Sequence, residues 1–435
     1  MIRRRNLIVV LTIGVLMGVG MLLSCEGEHS DKEKIERMER VNQLDSLVRV
    51  QMDKNPEEAL TYLDSLEKSE TISLPLLSYF RATVYSGIGQ RNTAMLYFQK
   101  ALEGDELQQE SPESYYRASD FLATYLSNHG KNAEALDVAN KCYEVARQDE
   151  SPMGRRWTAI LLHSMGYFHT QLGMKEEAER NFSMSYMALS QIVDADSSHA
   201  NLQTYARVSM NILDAYTTTE QYDEAVKWVS SAEKAANKLE ASPQCTEDDR
   251  ARYVGGIFLK EALIMTKLNA TPSADEAYRK AQEVGYFNTP YGLLEQVHFL
   301  RAAERWDEMV AVMPQVDSVA MAWKVPTSLY FLKEYMAPRF TAYLKSGRKE
   351  QALELAESLM MSVDSLAAHE QNHEMQEITV IAKQKDKNTE AAKQEAAEAY
   401  RWVKILSIAL SILIVCILLG SVYLLVRSRR MKSNK

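Results

Sequence analysis

His369 and His373, four residues apart with Glu370 between them, are the grouping in this chain whose types and spacing could do hydrolytic chemistry. On a helix the two imidazoles share a face and could hold a zinc ion while the glutamate draws a proton from a bound water. The surroundings argue against that use. Glu374 places a charge directly after the second histidine, no later histidine can supply a third ligand, and the segment is polar. Glu390 and Glu395 lie further along the same helix-forming run, and one continuous helix cannot fold them back onto the pair. A solvated histidine pair is the simpler reading. No catalytic residue, cofactor or metal is assigned; His369 and His373 are the candidates for a metal site.

Other chemistries find no footing. The chain has no Gly-x-Ser-x-Gly elbow and no glycine-rich phosphate loop. Gly255-Gly256 sits among apolar helix formers, which suits close helix packing. Four cysteines, Cys25, Cys142, Cys245 and Cys416, show neither metal-type spacing nor a disulfide framework. The net charge is -9, and basic clusters occur only at the ends, in Arg3-Arg4-Arg5 and from Arg427 to Lys435. Duplex nucleic acid needs a concentrated basic surface, so nucleic acid is excluded as a partner.

Those ends set the expected compartment. Residues 1–25 carry a basic start, an apolar run and Leu22-Leu23-Ser24-Cys25, followed by a polar linker over 26–34. The pattern resembles a lipoprotein signal peptide, and the resemblance implies cleavage and lipidation at Cys25. A plain signal peptide or an uncleaved anchor is the alternative. Residues 403–427 are expected to form a transmembrane helix, because 405–426 contain no charge and an apolar stretch of about 20 residues spans the hydrocarbon core. The basic tail, 428–435, then stays cytoplasmic by the positive-inside rule. The expected placement is an inner-membrane protein with a periplasmic body, anchored through the span and the Cys25 lipid.

The body repeats a helix–turn–helix rhythm. Few glycines (17) and prolines (10) in 435 residues fit helices joined by short loops. The clearest unit places Ala82, Tyr85, Gly89, Ala94, Phe98 and Ala101 where two helices cross closely or fill the gaps beside the crossing. The next supplies Ala123, Leu126, Gly130, Ala135, Ala139 and Cys142, and a third Gly166, His169, Gly173, Ala178, Phe182 and Ser185. Further copies contain Tyr216, Ala225 and Ala232; Ala262, Asn269, Ala274 and Ala281; and Tyr343, Gly347, Ala352 and Ala356. Three polar stretches, at 103–113, 194–201 and 240–249, read as loops inserted between repeats. Asn55-Pro56 and Ser273-Ala274 read as helix starts, and no segment alternates with period two, so strand is not expected. On these residues the chain resembles the tetratricopeptide-repeat superfamily over 35–362. The fold class that follows is all-α: a helical solenoid with a long C-terminal helix, 363–402, running into a single transmembrane helix. That long helix either caps the solenoid or pairs with a second copy as a homodimer.

The resemblance implies a concave groove lined by the first helix of each pair, suited to a protein or peptide. Its slots are filled by Tyr79 and Thr83, by Arg117, Asp120 and Thr124, by His163, Tyr167 and Gln171, and by Arg207, Asp214 and Thr218. Packing between repeats is the competing role for each. The Lys–Asn pair with which chaperone-binding relatives clamp a C-terminal carboxylate is replaced by Asp120 with Thr124 and His163 with Tyr167. Taken end to end, the layout resembles the sensory half of repeat-bearing two-component histidine kinases, without the kinase. The expected function is a membrane-anchored sensor or adaptor and not an enzyme. A structural scaffold for envelope assembly is the alternative, and a zinc hydrolase a more remote one.

Overall fold

The computed structural model describes residues 39–52, 55–69, 72–322, 331–360 and 401. The chain divides into two compact units, Met1–Glu370 and Gln371–Lys435. All described residues but Arg401 belong to the first. Cys25, the His369/His373 pair, the 363–402 segment apart from Arg401, and the apolar 405–426 run lie outside the described residues. Among the described residues no helix is long and apolar enough to cross a membrane.

Every regular element described is helical. In chain order they are α1 (39–52), α2 (Pro56–Ser69), α3 (Leu74–Gly87), α4 (Arg91–Ala101), a short α5 (Glu106–Glu110), α6 (Pro112–Asn128), α7 (Asn132–Ala146), α8 (Pro152–Gln171) and α9 (Lys175–Ala195). There follow α10 (His199–Thr218), α11 (Tyr222–Glu240), α12 (Glu247–Asp249), α13 (Gly255–Lys267), α14 (Thr271–Glu283), α15 (Pro290–Ala302), α16 (Trp306–Ala322), α17 (Ala337–Lys345) and α18 (349–360).

Several starts follow one chemistry. Ser73, Ser111 and Ser151 each accept a main-chain N–H from the first turn, with proline at the start of the helix they cap. Proline suits that place because its missing N–H would find no helical partner there. At α2, the Glu57 N–H donates to Asn55 Oδ1 over 3.0 Å. The start expected at Ser273 is displaced: α14 begins at Thr271-Pro272, so Ser273 already lies in its first turn.

Consecutive helices pack as hairpins, α3 with α4, α6 with α7, α8 with α9, α10 with α11, α13 with α14 and α15 with α16. Each first helix also meets the next first helix along α6, α8, α10, α13 and α15. This is the connectivity of a helical repeat array, in which each unit buries its apolar stripe against its neighbours. The small residues do what their spacing implies. Ala82, Ala94, Ala123, Ala135, Ala178, Ala225 and Ala262 are fully buried, letting backbones approach.

The hairpin turns share one device. Gly89, Gly130, Gly173 and Gly347 have φ between 72° and 79°, and Glu220, Asn269 and Glu304 hold the same left-handed conformation at the equivalent places. The intervals between these turns all exceed the roughly 34 residues of the repeat template. Two of the stretches read as inserted loops are partly helical. The first forms α5, anchored by Leu107 at 1% exposure, and the third holds α12, closed by a capping box of Thr246 and Asp249. The second is nearly absent, because α9 and α10 extend to Ala195 and from His199. Added helical turns satisfy main-chain groups internally where loops would leave them to water.

Candidate functional site

The site is a strip of polar side chains that successive first helices present on one side. On α6, Asp120 accepts a hydrogen bond from Ser164 of α8 at 2.7 Å, and burial pushes its carboxyl up from the ordinary range. One turn earlier Arg117 bonds Glu113 of its own helix at 2.8 Å. On α8, His163, Tyr167 and Gln171 follow at helical spacing, all half-buried. Burial, reinforced by the charge of Arg207, pulls the His163 imidazole down to about 4, so it is neutral near pH 7. His163 Nε2 and Gln171 Nε2 are buried atoms without a hydrogen-bond partner.

Arg207 enters from α10 within electrostatic reach of Asp120 and His163. Also on α10, Asp214 pairs with Lys260 of α13, which reaches Glu295 of α15 at 3.3 Å. Tyr286 donates to the other Glu295 oxygen at 2.9 Å. Further on, Arg301 and His298 of α15 stand 3.7 and 3.9 Å from Glu334.

Of the groove residues read from sequence, Asp120, His163, Tyr167, Gln171, Arg207 and Asp214 come together in this strip. Arg117 flanks it, and Thr124 and Thr218 are exposed. Tyr79 is only 2% exposed and belongs to the core, its ring against Phe80 and Phe98. Thr83 bonds back to the Tyr79 carbonyl at 3.0 Å, a local helix contact.

Sequence reasoning missed Lys260, Glu295, His298 and Glu334. Lys260 lies one place off the template slot, and only its long stem brings the ammonium across to Asp214. A cation one step from a slot and an acid in the slot of the preceding repeat would have been the usable signal. Gly255 and Gly256 do serve close packing: a Cβ at Gly255 would fall 2.6 Å from Tyr286 Cβ, and one at Gly256 would fall 2.6 Å from Met210 Sδ. Among the described residues no group of three or more His, Cys, Asp or Glu is placed to hold a metal. Cys142 is buried and Cys245 partly so, both unpaired in disulfides.

No protein-family profile matches the sequence, and no curated protein matches it either. Among solved structures it is similar to aspartyl phosphate phosphatase F from Bacillus subtilis, at 16% identity over 73% of this chain and 82% of that one, with a TM-score of 0.43. It is also similar to a Rap protein complexed with competence and sporulation factor, at 18% identity over 66% of this chain and 73% of that one, TM-score 0.40. For BtubC (BKLC) from P. vanneervenii the identity is 14%, over 58% of this chain and 90% of that one, TM-score 0.37.

Proposed function

We propose that this chain is a membrane-tethered protein-binding module of the bacterial envelope, engaging a protein or peptide partner along the strip formed by α6, α8, α10, α13 and α15. One observation carries the reading. The strip holds two buried polar atoms on α8 that no neighbour bonds, His163 Nε2 and Gln171 Nε2, and on α10 the half-buried Arg207, which makes no hydrogen bond or ion pair among the described residues. Buried polar groups without partners are costly inside a folded protein, and an extended partner crossing several first helices would satisfy them in turn.

The periplasmic placement, the lipid at Cys25 and the inner-membrane span rest on the signal-like residues 1–25, the uncharged run 405–426 and the basic tail. On this reading the body senses or recruits, and the 363–402 segment relays or dimerises. A scaffold that only gathers envelope proteins would use the same surface, while hydrolysis at His369 and His373 would not.

The test is photocrosslinking in intact cells. A benzophenone amino acid at Thr124 or Thr218, both exposed beside the strip, is expected to yield the same partner adduct. One at Met187, 59% exposed on α9, is expected to yield none. An adduct from Met187 alone would overturn the assignment of the surface.

A further inference from the structure

We propose that the strip recognises an acidic side chain of its partner, the carboxylate docking on Arg207 between α8 and α10. The inference rests on the binding function proposed above and names the chemistry it selects.

The other cations of the strip are already engaged. Arg117 has Glu113, Lys260 has Asp214 and Glu295, and Arg301 has Glu334, each within 4 Å. Arg207 makes no hydrogen bond or ion pair among the described residues, although it is half-buried. A guanidinium presents five N–H donors in a planar fork that matches a carboxylate in two parallel hydrogen bonds. Partial burial strengthens such a pair by lowering the local dielectric.

The nearby acids do not fill that role. Asp120 is engaged by Ser164 at 2.7 Å and stays outside ion-pair distance of Arg207. Asp214 is taken by Lys260. One unused polar atom lies beside the position, Nε2 of His163, which burial keeps on a neutral ring; the unused Nε2 of Gln171 lies about two turns further along α8. A neutral imidazole can bond the main chain beside an acidic residue.

The surrounding field selects the kind of anion. With Asp120 within electrostatic reach of Arg207, a phosphate dianion meets twice the repulsion that a singly charged carboxylate meets. The strip also continues in both directions, onto α6 and α13, so a chain can pass through Arg207 and need not end there. An internal Asp or Glu fits better than a chain terminus.

The experiment uses the full chain in detergent as bait for a random twelve-residue peptide library whose C termini are fused to the phage coat, leaving no free terminal carboxylate. Selected peptides are expected to align on one Asp or Glu. A synthetic peptide of that sequence should bind Arg207→Gln about tenfold more weakly, the scale of one charged hydrogen-bonded pair. Replacing its acid by Asn or Gln should cost as much on the wild type and little more on Arg207→Gln. Asp120→Asn, which removes a neighbouring negative charge without touching Arg207, should tighten binding about threefold. Circular dichroism and melting curves check that both variants fold, and Asp120→Asn keeps the test decisive should Arg207→Gln prove unstable. Peptides lacking a common acid, or holding one indifferent to both substitutions, would overturn the inference while leaving peptide binding intact. Failure to select any peptide would remove the binding function along with it.

Discussion

Phe182→Ala is expected to destabilise the body by about 3–5 kcal/mol, the range for emptying a fully buried aromatic site. The ring has no exposed surface. It lies on α9 with ring centroids of His163, Tyr216 and Trp228 at 5.9, 5.3 and 6.3 Å, so it touches α8, α10 and α11 together. Gly166 makes room for it: a Cβ there would fall 2.5 Å from Phe182 Cδ1. Gly166→Ala alone should therefore cost about 1–3 kcal/mol through overpacking. Combined with Phe182→Ala, the added methyl enters the space the ring vacated. The double variant is expected to be more stable than the sum of the single effects by about 1–2 kcal/mol. Urea unfolding of the four proteins measures this coupling, and strict additivity would contradict the packing described. Because stability in a repeat array is carried between neighbours, the Phe182→Ala transition should also broaden or divide into two.

Lys260→Met is expected to cost about 2 kcal/mol at pH 7. Breaking a buried ion pair by removing one partner costs about 3–5 kcal/mol, and the discount follows from exposure. The Lys260 side chain is 13% exposed, but Asp214 is 50% and Glu295 33% exposed, so the stranded carboxylates regain part of their hydration. Burial alone would pull the ammonium's pKa down, yet Glu295 and Asp214 outweigh it and the net shift is upward. A raised folded-state value means the stabilisation is fully present below the ordinary lysine range and is lost only in strong alkali. In the variant the two acids face each other without a cation, so the deficit should shrink as pH falls through the carboxylate range. Asp214→Asn should cost under about 1 kcal/mol, because Lys260 retains Glu295. Thermal melts between pH 4 and pH 8 read these differences. A Lys260→Met deficit that stays constant over that interval would show that the triad contributes packing and not charge.

The helix pairs were legible because their signal is steric. Alanine and glycine at crossings, aromatics beside them and glycine at the turn form a pattern with few substitutes, and Ala82, Gly89, Ala94 and Phe98 behave as that pattern requires. The turns at Glu220 and Glu304 were harder to read, since a residue other than glycine carries no mark of a left-handed conformation its surroundings impose. Helical continuation hid the second polar stretch, Asp194 to Asn201: acids, serines and a histidine read as loop, but they also end one helix and start the next.

The strip was half legible. Slots of the repeat located Asp120, His163 and Arg207, because main-chain geometry decides which face a position occupies. They failed for Tyr79, where neighbouring Phe80 and Phe98 close over the ring, and for Lys260, whose flexible stem reaches beyond its own slot. Position sets the direction of Cβ, and charge pairing is decided by atoms several bonds further out.

Hydroxyl-radical footprinting of the full chain, alone and with the partner captured by photocrosslinking, reports which helices the partner covers. Oxidation of His163 and Tyr167 is expected to fall when the partner is bound. Met184 and Met187 of α9, 43% and 59% exposed, should react equally in both samples. Shielding of the α9 methionines with His163 and Tyr167 unchanged would place the partner on the second helices and contradict the assignment of the strip.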